Sequence, residues 1–353
     1  MRFTYRRHSY SADGSKSGEK EASVKDRPLN RTILVTGGAG YIGSQLIRDL
    51  AMDPAYQGCT IRIYDNMQRG TYQALMDLPP FCHYQLVEGD VMDRYSLAEA
   101  MQGVWAVIHL AAIVKTPLSF DHPTWTHQVN HWGTVTVIDE AVRAGVERFI
   151  YACSASVYGP GGPFRENDPC HPVGPYSTSK LQGEAALLGA GQQRGLRGTS
   201  LRFGTVFGYS PGARFDAFVN RMAYLAGVGK PIVVNGKGDQ KRPILHVRDA
   251  TAAILFCLSH PETIGKVYNA AAENVSILGV AEAIQAILPT ARVHFAGQDI
   301  LTAMSFEVDS SELMRQGWMP QFSVEAGINE ILQRLSLLHE PGTAYPGQPQ
   351  VLD

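Results

Sequence analysis

The chain has 353 residues, a formal net charge of −2 at pH 7, and 44% hydrophobic and 18% charged residues. This near-neutral balance gives no electrostatic basis for binding nucleic acid or an anionic membrane surface. No apolar stretch reaches the roughly 18 residues that a membrane-spanning helix needs. The five cysteines form no C-x-x-C pair and no metal-ligand cluster, so we expect reduced thiols, a cytoplasmic location and no bound metal.

The order of apolar runs predicts an α/β fold, a Rossmann-type doubly wound parallel sheet with a smaller C-terminal substrate-binding domain. Strands are expected near 32–36, 60–65, 84–88, 105–111, 147–153 and 198–204, and helices near 41–51, 95–102, 125–144 and 177–194. We predict a flexible tail at 1–29, a first domain at 30–205 with returning segments near 243–256 and 266–271, a second at 206–335, and a tail at 336–353.

The first predicted strand runs into a glycine-rich turn, and a helix follows from Tyr41. Glycines at 37, 40 and 43 allow a tight turn, close approach of the backbone to a pyrophosphate, and close packing of helix on strand. Phosphates at the helix N-terminus would meet free N–H groups and a favourable dipole. We therefore predict dinucleotide binding, with an ordinary strand–helix turn as the alternative, by Gly37, Gly40, Tyr41, Ile42 and Gly43.

The second predicted strand ends in Asp65, 22 residues after Gly43. A carboxylate at this position accepts hydrogen bonds from the adenosine ribose hydroxyls and repels a 2′-phosphate. This favours NAD over NADP as the cofactor. Arg62 and Arg69 could soften the preference, although neither occupies the position of the carboxylate.

Further along the chain, Ser154 directly follows a predicted strand, and Tyr176 and Lys180 lie one helical turn apart. The lysine charge should favour the phenolate and lower the pKa of Tyr176 from about 10 toward neutrality. Such a phenol can move a proton on and off a hydroxyl group as a general acid and base. We predict catalysis by Ser154, Tyr176 and Lys180, and a buried structural role for Cys153.

Residues 31–335 resemble the extended short-chain dehydrogenases/reductases, in the NAD-dependent nucleotide-sugar epimerase/dehydratase branch that includes UDP-glucose 4-epimerase. The resemblance rests on segments 36–43, 65–66, 89–91, 109–112, 129–130, 154–159 and 176–180. It implies that Asp90 contacts the adenine and that Asn130 positions the catalytic region. A turn aspartate and a helix-interior polar residue are the respective alternatives. It adds these cofactor-binding positions: Asn66, Asp90, Val91, Leu110, Ala111, Ala112, Asn130, Tyr176 and Lys180.

The same resemblance assigns roles to the three catalytic residues. Ser154 would hydrogen-bond the reacting hydroxyl or carbonyl, Tyr176 would exchange the proton, and Lys180 would hold the nicotinamide ribose. Ser154 is preferred over the competing Ser156 because it stands three residues before Val157, as the family's hydroxyl does.

The reaction is narrowed by two positions at which the family's 4,6-dehydratases carry an Asp-Glu pair. Here they are Ala155 and Ser156, and elimination of water needs both a proton donor and a base. A 4-epimerase is therefore favoured over a dehydratase. An NAD(P)H-dependent 4-ketoreductase and a catalytically silent NAD-binding protein remain as alternatives.

The predicted substrate is a nucleotide-diphosphate sugar. Arg242 resembles the family's arginine that pairs with the diphosphate, with a surface salt bridge as the alternative. A guanidinium fork suits two phosphate oxygens. Arg214 is a second anion clamp or a surface salt bridge, Asn220 could reach the ligand, and Thr116 and Ser119 are either contacts or plain loop residues. Gly204 and Thr205 replace the family's Phe-Asn, and the lost phenyl should widen the space near the nicotinamide. Apolar residues beyond one face of the helices near 125–144 and 177–194 suggest a homodimer.

Overall fold

The structure is a computed structural model that describes residues 31–297 and 304–336. The predicted tail at 1–29 and all but the first residue of the predicted tail at 336–353 lie outside these ranges. None of the helices in the described ranges combines the length and apolarity that a bilayer crossing requires.

The strands and helices are numbered in chain order. The strands are β1 (Thr32–Thr36), β2 (Thr60–Asp65), β3 (His83–Glu88), β4 (Val104–His109), β5 (Arg148–Ser154), β6 (Gly161–Phe164), β7 (Gly198–Phe203), β8 (Thr205–Phe207), β9 (Ile232–Asn235), β10 (Lys241–His246), β11 (Val267–Ala270), β12 (Glu273–Ser276), β13 (Val293–Ala296) and β14 (Phe306–Val308). The α-helices are α1 (Tyr41–Met52), α2 (Arg94–Ala100), α3 (Thr116–Asp121), α4 (Pro123–His127), α5 (Thr134–Arg143), α6 (Pro175–Arg194), α7 (Phe218–Gly227), α8 (Val247–Ser259), α9 (Ile277–Ile287), α10 (Ser311–Arg315) and α11 (Val324–Leu335).

Seven parallel strands form the large sheet, in the order β11-β7-β5-β4-β1-β2-β3. Ile33 and Leu34 on β1 are both fully buried although they face opposite sides of the sheet. Ile33 packs in a core that α1 and α8 share, and Leu34 packs in a core that α2, α5 and α6 share. A sheet covered on both faces confirms the predicted doubly wound fold.

The strand order places a switch point at β1, which has β2 on one side and β4 on the other. The chain winds away from β1 in both directions, so the loops after these strands diverge and leave a crevice at their carboxyl ends. Ligands of open α/β sheets bind in this crevice.

A third core lies beyond the crevice. Residues of the small sheet β12-β10-β8 and of the pair β13-β9 form it together with residues of α7, α9 and α11, whereas Phe306 and Val308 of the pair β14-β6 pack in the core that contains Leu34. Strand β11 returns to the large sheet, and α8 packs against α1. The predicted domain boundaries at 30–205 and 206–335 stay a proposal.

The helix predicted over 125–144 is divided into α4, a π-helical segment Gln128–Gly133, and α5. A Cβ atom on Gly133 would lie 2.7 Å from the Val91 side chain, so this turn passes too close to its neighbour for a larger residue. A π turn inserts one residue into a helix and often occurs at a functional site. Here the turn carries Asn130.

Candidate active site

A cavity of about 1130 Å³ opens at the carboxyl ends of the central strands. Residues of the large sheet line one side, and residues from β8, α7, β10 and β14 line the other. Its volume exceeds that of a typical pocket for one small molecule. The cavity therefore has room for a cofactor and a substrate together.

The glycine-rich turn forms one end of this cavity. Gly37 has φ +70°, and a Cβ atom there would lie 2.8 Å from the Ala111 nitrogen. A Cβ atom on Gly43 would lie 2.3 Å from the Gly37 carbonyl oxygen. The N-cap of α1, Gly40, makes no side-chain cap hydrogen bond, so the first-turn N–H groups face the cavity as donors for an anion. The turn fits the pyrophosphate of a dinucleotide.

Asp65 lies beside the turn at the end of β2. Its two carboxylate oxygens accept hydrogen bonds from the Ala39 and Met67 backbone nitrogens, each at 3.0 Å. Burial raises the pKa of Asp65, and these two hydrogen bonds act in the opposite direction. The carboxylate is thus held in one orientation with lone pairs left for the hydroxyls of a ribose.

Most of the other predicted cofactor positions line the cavity, and Asn130 does not. Asn66, Asp90 and Val91 line the cavity, as do Leu110, Ala111 and Ala112 after β4. The Asp90 carboxylate accepts a hydrogen bond from the Asn66 amide at 3.0 Å. It also accepts one from the Met92 backbone nitrogen at 2.9 Å, within its own turn. The turn role weighed for Asp90 is therefore present beside its place in the cavity.

Asn130 does not line the cavity. Its buried amide accepts a hydrogen bond from the Ile113 nitrogen at 2.7 Å, and it donates to the Ile113 carbonyl at 2.9 Å and to the Ser179 hydroxyl at 3.2 Å. These contacts tie the loop after β4 to the first turns of α6. Asn130 thus links this loop to α6 as a buried polar residue, and the cofactor contact predicted for it is not supported by the lining of the cavity.

Ser154, Tyr176 and Lys180 all line the cavity. Ser154 ends β5, and α6 begins at Pro175, whose fixed φ angle suits the first helical position. The structure therefore brings the three predicted catalytic residues together.

A chain of hydroxyl groups lies behind the phenol. The Ser154 side chain lies near enough to the Tyr176 phenol to lower its pKa, the Ser154 and Ser156 hydroxyl oxygens are 2.9 Å apart, and Ser177 donates to Ser156 at 3.0 Å. Ser154 is thus the member of the chain in contact with Tyr176, and Ser156 supports it from behind.

The protonation of this site differs from the sequence prediction. Burial raises the pKa of Tyr176, and the neighbouring Ser154 side chain is the main opposing influence. The predicted lowering of this pKa by Lys180 is wrong in direction, because loss of solvent outweighs the attraction of nearby charges. Burial lowers the pKa of Lys180 to about 8.

Tyr151 was missed as a supporting residue. The Lys180 ammonium lies 4.4 Å from the centre of the Tyr151 ring, and the Tyr151 hydroxyl donates to the Lys180 carbonyl at 3.2 Å. A Cβ atom on Gly183 would lie 2.4 Å from the Tyr151 hydroxyl. The available signal was Gly183 itself, since glycine inside a helix disfavours the helix unless it allows a close approach.

Acidic groups are confined to other parts of the cavity. Among the described residues that line it, the carboxylates are Asp65 and Asp90 beside the glycine turn, and Asp216. Arg214 donates two hydrogen bonds to Asp216, at 2.9 and 2.7 Å. The salt bridge weighed for Arg214 is therefore formed. No carboxylate from the described lining residues stands beside Tyr176.

The predicted substrate residues are only partly brought together. Thr116, Thr205, Arg214 and Arg242 line the cavity. Burial lowers the pKa of Arg242 to about 10, and its guanidinium carbon lies 5.0 Å from the centre of the Phe306 ring.

Two predicted substrate residues point elsewhere. Ser119 is fully buried and donates to the Thr116 carbonyl at 2.7 Å. The fully buried Asn220 amide contacts Tyr41, Gly208 and Arg214 instead of the cavity. In both cases the polar side-chain atoms already form hydrogen bonds with nearby backbone groups.

Gly204 lines the cavity, so the expected widening near the nicotinamide stays a prediction. A Cβ atom there would lie 2.9 Å from the Pro243 carbonyl oxygen and 3.3 Å from the Ala271 Cβ. The glycine therefore also allows close packing against Pro243 on β10.

Comparison with known proteins agrees with this geometry. The sequence model of the NAD-dependent epimerase/dehydratase family matches residues 33–271. A UDP-glucose 4-epimerase of Azospirillum brasilense is 32% identical over 246 residues, covering 65% of this chain and 68% of its own. A dTDP-D-glucose 4,6-dehydratase of Mus musculus is 28% identical over 337 residues, covering 90% and 92%.

Among solved structures, the Thermus thermophilus UDP-glucose 4-epimerase in complex with NAD is similar, with a TM-score of 0.77 and 25% identity. The superposition covers 87% of this chain and 99% of that one. The glycine turn, Asp65 and the Ser154–Tyr176–Lys180 group lie within the matched range. The chain therefore belongs to the NAD-dependent epimerase/dehydratase family.

Proposed function

We propose that the protein is a nucleotide-sugar epimerase that inverts one sugar carbon, C4, by transient oxidation. The observation that carries this proposal is that Ser154, Tyr176 and Lys180 line one cavity, with Ala155 and Ser156 following Ser154 where elimination would need acids. NAD, when bound, supplies the hydride acceptor and later the donor. After rotation of the 4-keto sugar, hydride return to its other face gives the epimer with no net consumption of cofactor.

The catalytic residues have separate roles in this proposal. Tyr176 takes the proton of the C4 hydroxyl during oxidation when it is in its phenolate form, and the phenol so formed returns the proton during reduction. Ser154 hydrogen-bonds the same oxygen, which is the position its contact with Tyr176 supports. Lys180 lines the cavity from the next turn of α6, with its ammonium 4.4 Å from the centre of the Tyr151 ring, and is proposed to hold the nicotinamide ribose.

The nucleotide end is proposed to bind through Arg242. Its guanidinium lies in a partly desolvated part of the cavity, where a charge-assisted hydrogen bond to a diphosphate is strong. Thr116 and Thr205 are proposed to contact the sugar or phosphate. Arg214 remains a proposed second contact, although binding would have to compete with Asp216.

The test is incubation of the purified protein with UDP-, GDP-, CDP- and dTDP-sugars, followed by NMR. We expect a new sugar stereoisomer without added cofactor. A 4-keto-6-deoxy product would instead identify a dehydratase. Stoichiometric loss of NADH absorbance with a 4-keto sugar would identify a ketoreductase. Failure of every nucleotide diphosphate to raise the melting temperature would favour the silent NAD-binding protein.

The two serines can be separated by substitution. We expect Ser154→Ala to lower kcat about 100-fold, because the hydroxyl beside Tyr176 is lost, and Ser156→Ala to lower it by less than about tenfold. Equal rates for Ser154→Ala and the unaltered protein would transfer the role to Ser156.

We further propose a cytoplasmic homodimer. Exposed apolar side chains on one side of the molecule support it: Met92 is 43% exposed, Tyr95 83% and Trp132 57%. Large exposed apolar groups close together mark interaction surfaces. A monomer mass by light scattering at micromolar concentration would refute the dimer.

A further inference from the structure

The segment between β8 and α7, residues 208–216, lies against the glycine-rich turn, and we call it the clasp. A Cβ atom on Gly212 would lie 2.5 Å from the Gly40 carbonyl oxygen, so the two backbones are in contact. The Gly212 nitrogen donates to the Ser44 hydroxyl at 2.9 Å, and the Ser210 hydroxyl donates to the Tyr41 carbonyl at 2.8 Å. These hydrogen bonds join residues about 170 positions apart in sequence.

Tyr41 and Asn220 fix the two ends of the clasp. The buried Tyr41 hydroxyl donates to the Gly208 carbonyl at 2.6 Å. The Asn220 amide accepts from the Gly208 nitrogen at 2.9 Å and donates to the Tyr41 hydroxyl at 3.1 Å and the Arg214 carbonyl at 2.8 Å. Opening this network would leave several buried polar groups without hydrogen-bond partners, which costs free energy.

The clasp also forms a wall of the cavity. Arg214 and Asp216 line it, as do the glycine turn and Asp65. Their charges interact with Arg69, which lies in the loop after β2. The glycine turn and the clasp thus both border the part of the cavity that fits the dinucleotide.

We propose that the clasp retains the cofactor, so that NAD leaves only when residues 208–216 lift from Tyr41 and Ser44. This inference rests on the proposed function and deepens it. An epimerase regenerates its NAD in each turnover and has no need to release it, whereas a ketoreductase must exchange it. Asn220 and Ser210 are therefore positioning residues for the cofactor.

Cofactor exchange tests the clasp without any sugar substrate. The protein is loaded with radiolabelled NAD, separated from free nucleotide by rapid gel filtration, and mixed with excess unlabelled NAD while the bound label is followed. We expect Ser210→Ala to release label about tenfold faster and Asn220→Ala about 100-fold faster than the unaltered protein.

Asn269→Ala is the matched control. Asn269 is equally buried, and its side chain accepts from the Tyr158 hydroxyl at 2.8 Å and donates to the Phe164 and Asp309 carbonyls at 3.0 Å. It does not line the cavity, so its loss should destabilise the fold while NAD release stays within about twofold.

Unchanged release from a folded Ser210→Ala protein would overturn the clasp, as would equally fast release from Asn269→Ala. If Asn220→Ala does not fold, Ser210→Ala decides the matter. A confirmed clasp with no epimer in the NMR assay would reject the proposed reaction alone, because NAD release is measured without sugar.

Discussion

The two ends of the cavity are built in different ways. The proposed cofactor end consists of backbone groups of one short stretch, residues 36–43, together with Asp65 at the end of the adjacent strand. The proposed substrate end consists of side chains from distant parts of the chain, such as Thr116, Thr205 and Arg242. A site made of backbone depends on local spacing, whereas a site made of side chains depends on how separate segments pack. The following substitutions should therefore affect the two ends separately.

The largest effect is expected at Tyr176, where the two ends meet. Tyr176→Phe removes the proton-exchanging group and should lower kcat about 1000-fold, while the amount of NAD bound stays unchanged. Turnover by NMR and bound nucleotide by absorbance measure the two quantities. Tyr95→Phe, at an exposed tyrosine, is the control. A Tyr176→Phe protein with normal kcat would remove Tyr176 from the reaction.

The next effect concerns the substrate end. Arg242→Ala should raise KM for the nucleotide-diphosphate sugar about 100-fold and change kcat only a few-fold, because a charge-assisted contact to a group remote from the reaction is lost. Arg242→Lys should fall between the two, since an ammonium lacks the fork. Arg248→Ala removes a nearby exposed arginine as a control. A kcat loss without a KM change would contradict the assignment.

A smaller effect follows from the burial of Lys180. Its pKa in the folded protein is lowered to about 8, against about 10.4 in the unfolded chain. Between pH 8 and about pH 10.4 the unfolded chain binds more protons at Lys180 than the folded protein does, so the free energy of unfolding rises with pH. The contribution of Lys180 to stability is therefore fully present above about pH 10.4 and is lost as the pH falls through 8. From pH 7.5 to 9.5 the free energy of unfolding should rise by about 2 kcal/mol relative to Lys180→Met.

Urea unfolding without added nucleotide, at both pH values, measures this difference. A parallel pH response of the unaltered protein and Lys180→Met would mean that Lys180 titrates normally in the folded state.

The smallest effect is expected at the cofactor end. Asp65→Asn keeps the shape but loses the charge, so the affinity for NAD should fall about tenfold and the preference over NADP should narrow. Titration with each nucleotide gives both dissociation constants. Asp53→Asn makes the same charge change at the other end of α1, away from the cavity. Equal affinities for Asp65→Asn and the unaltered protein would assign ribose binding elsewhere.

The difference between local backbone and distant side chains also explains which parts of the fold and of the site can be predicted from the sequence. The spacing of Gly37, Gly40 and Gly43 and the apolar strands were sufficient for the fold and the dinucleotide turn, because these patterns are local. The position of Asn220 was not predictable, because its side-chain amide donates a hydrogen bond to Tyr41, which lies 179 residues away in sequence. The pKa of Tyr176 depended on burial, which spacing alone does not reveal.

The π turn at Gln128–Gly133 has a consequence for the dimer. One residue added by the π turn rotates the side chains of α5 by about 100° around the helix axis relative to those of α4. Apolar residues that continue the same sequence spacing therefore lie on different faces of the two helices. Apolar residues beyond a single face of this segment then arise within one subunit, with α4 and α5 each contacting α6. The amphipathic pattern of 125–144 thus reflects a change of helical phase, and the case for a dimer depends on Trp132 and its exposed neighbours.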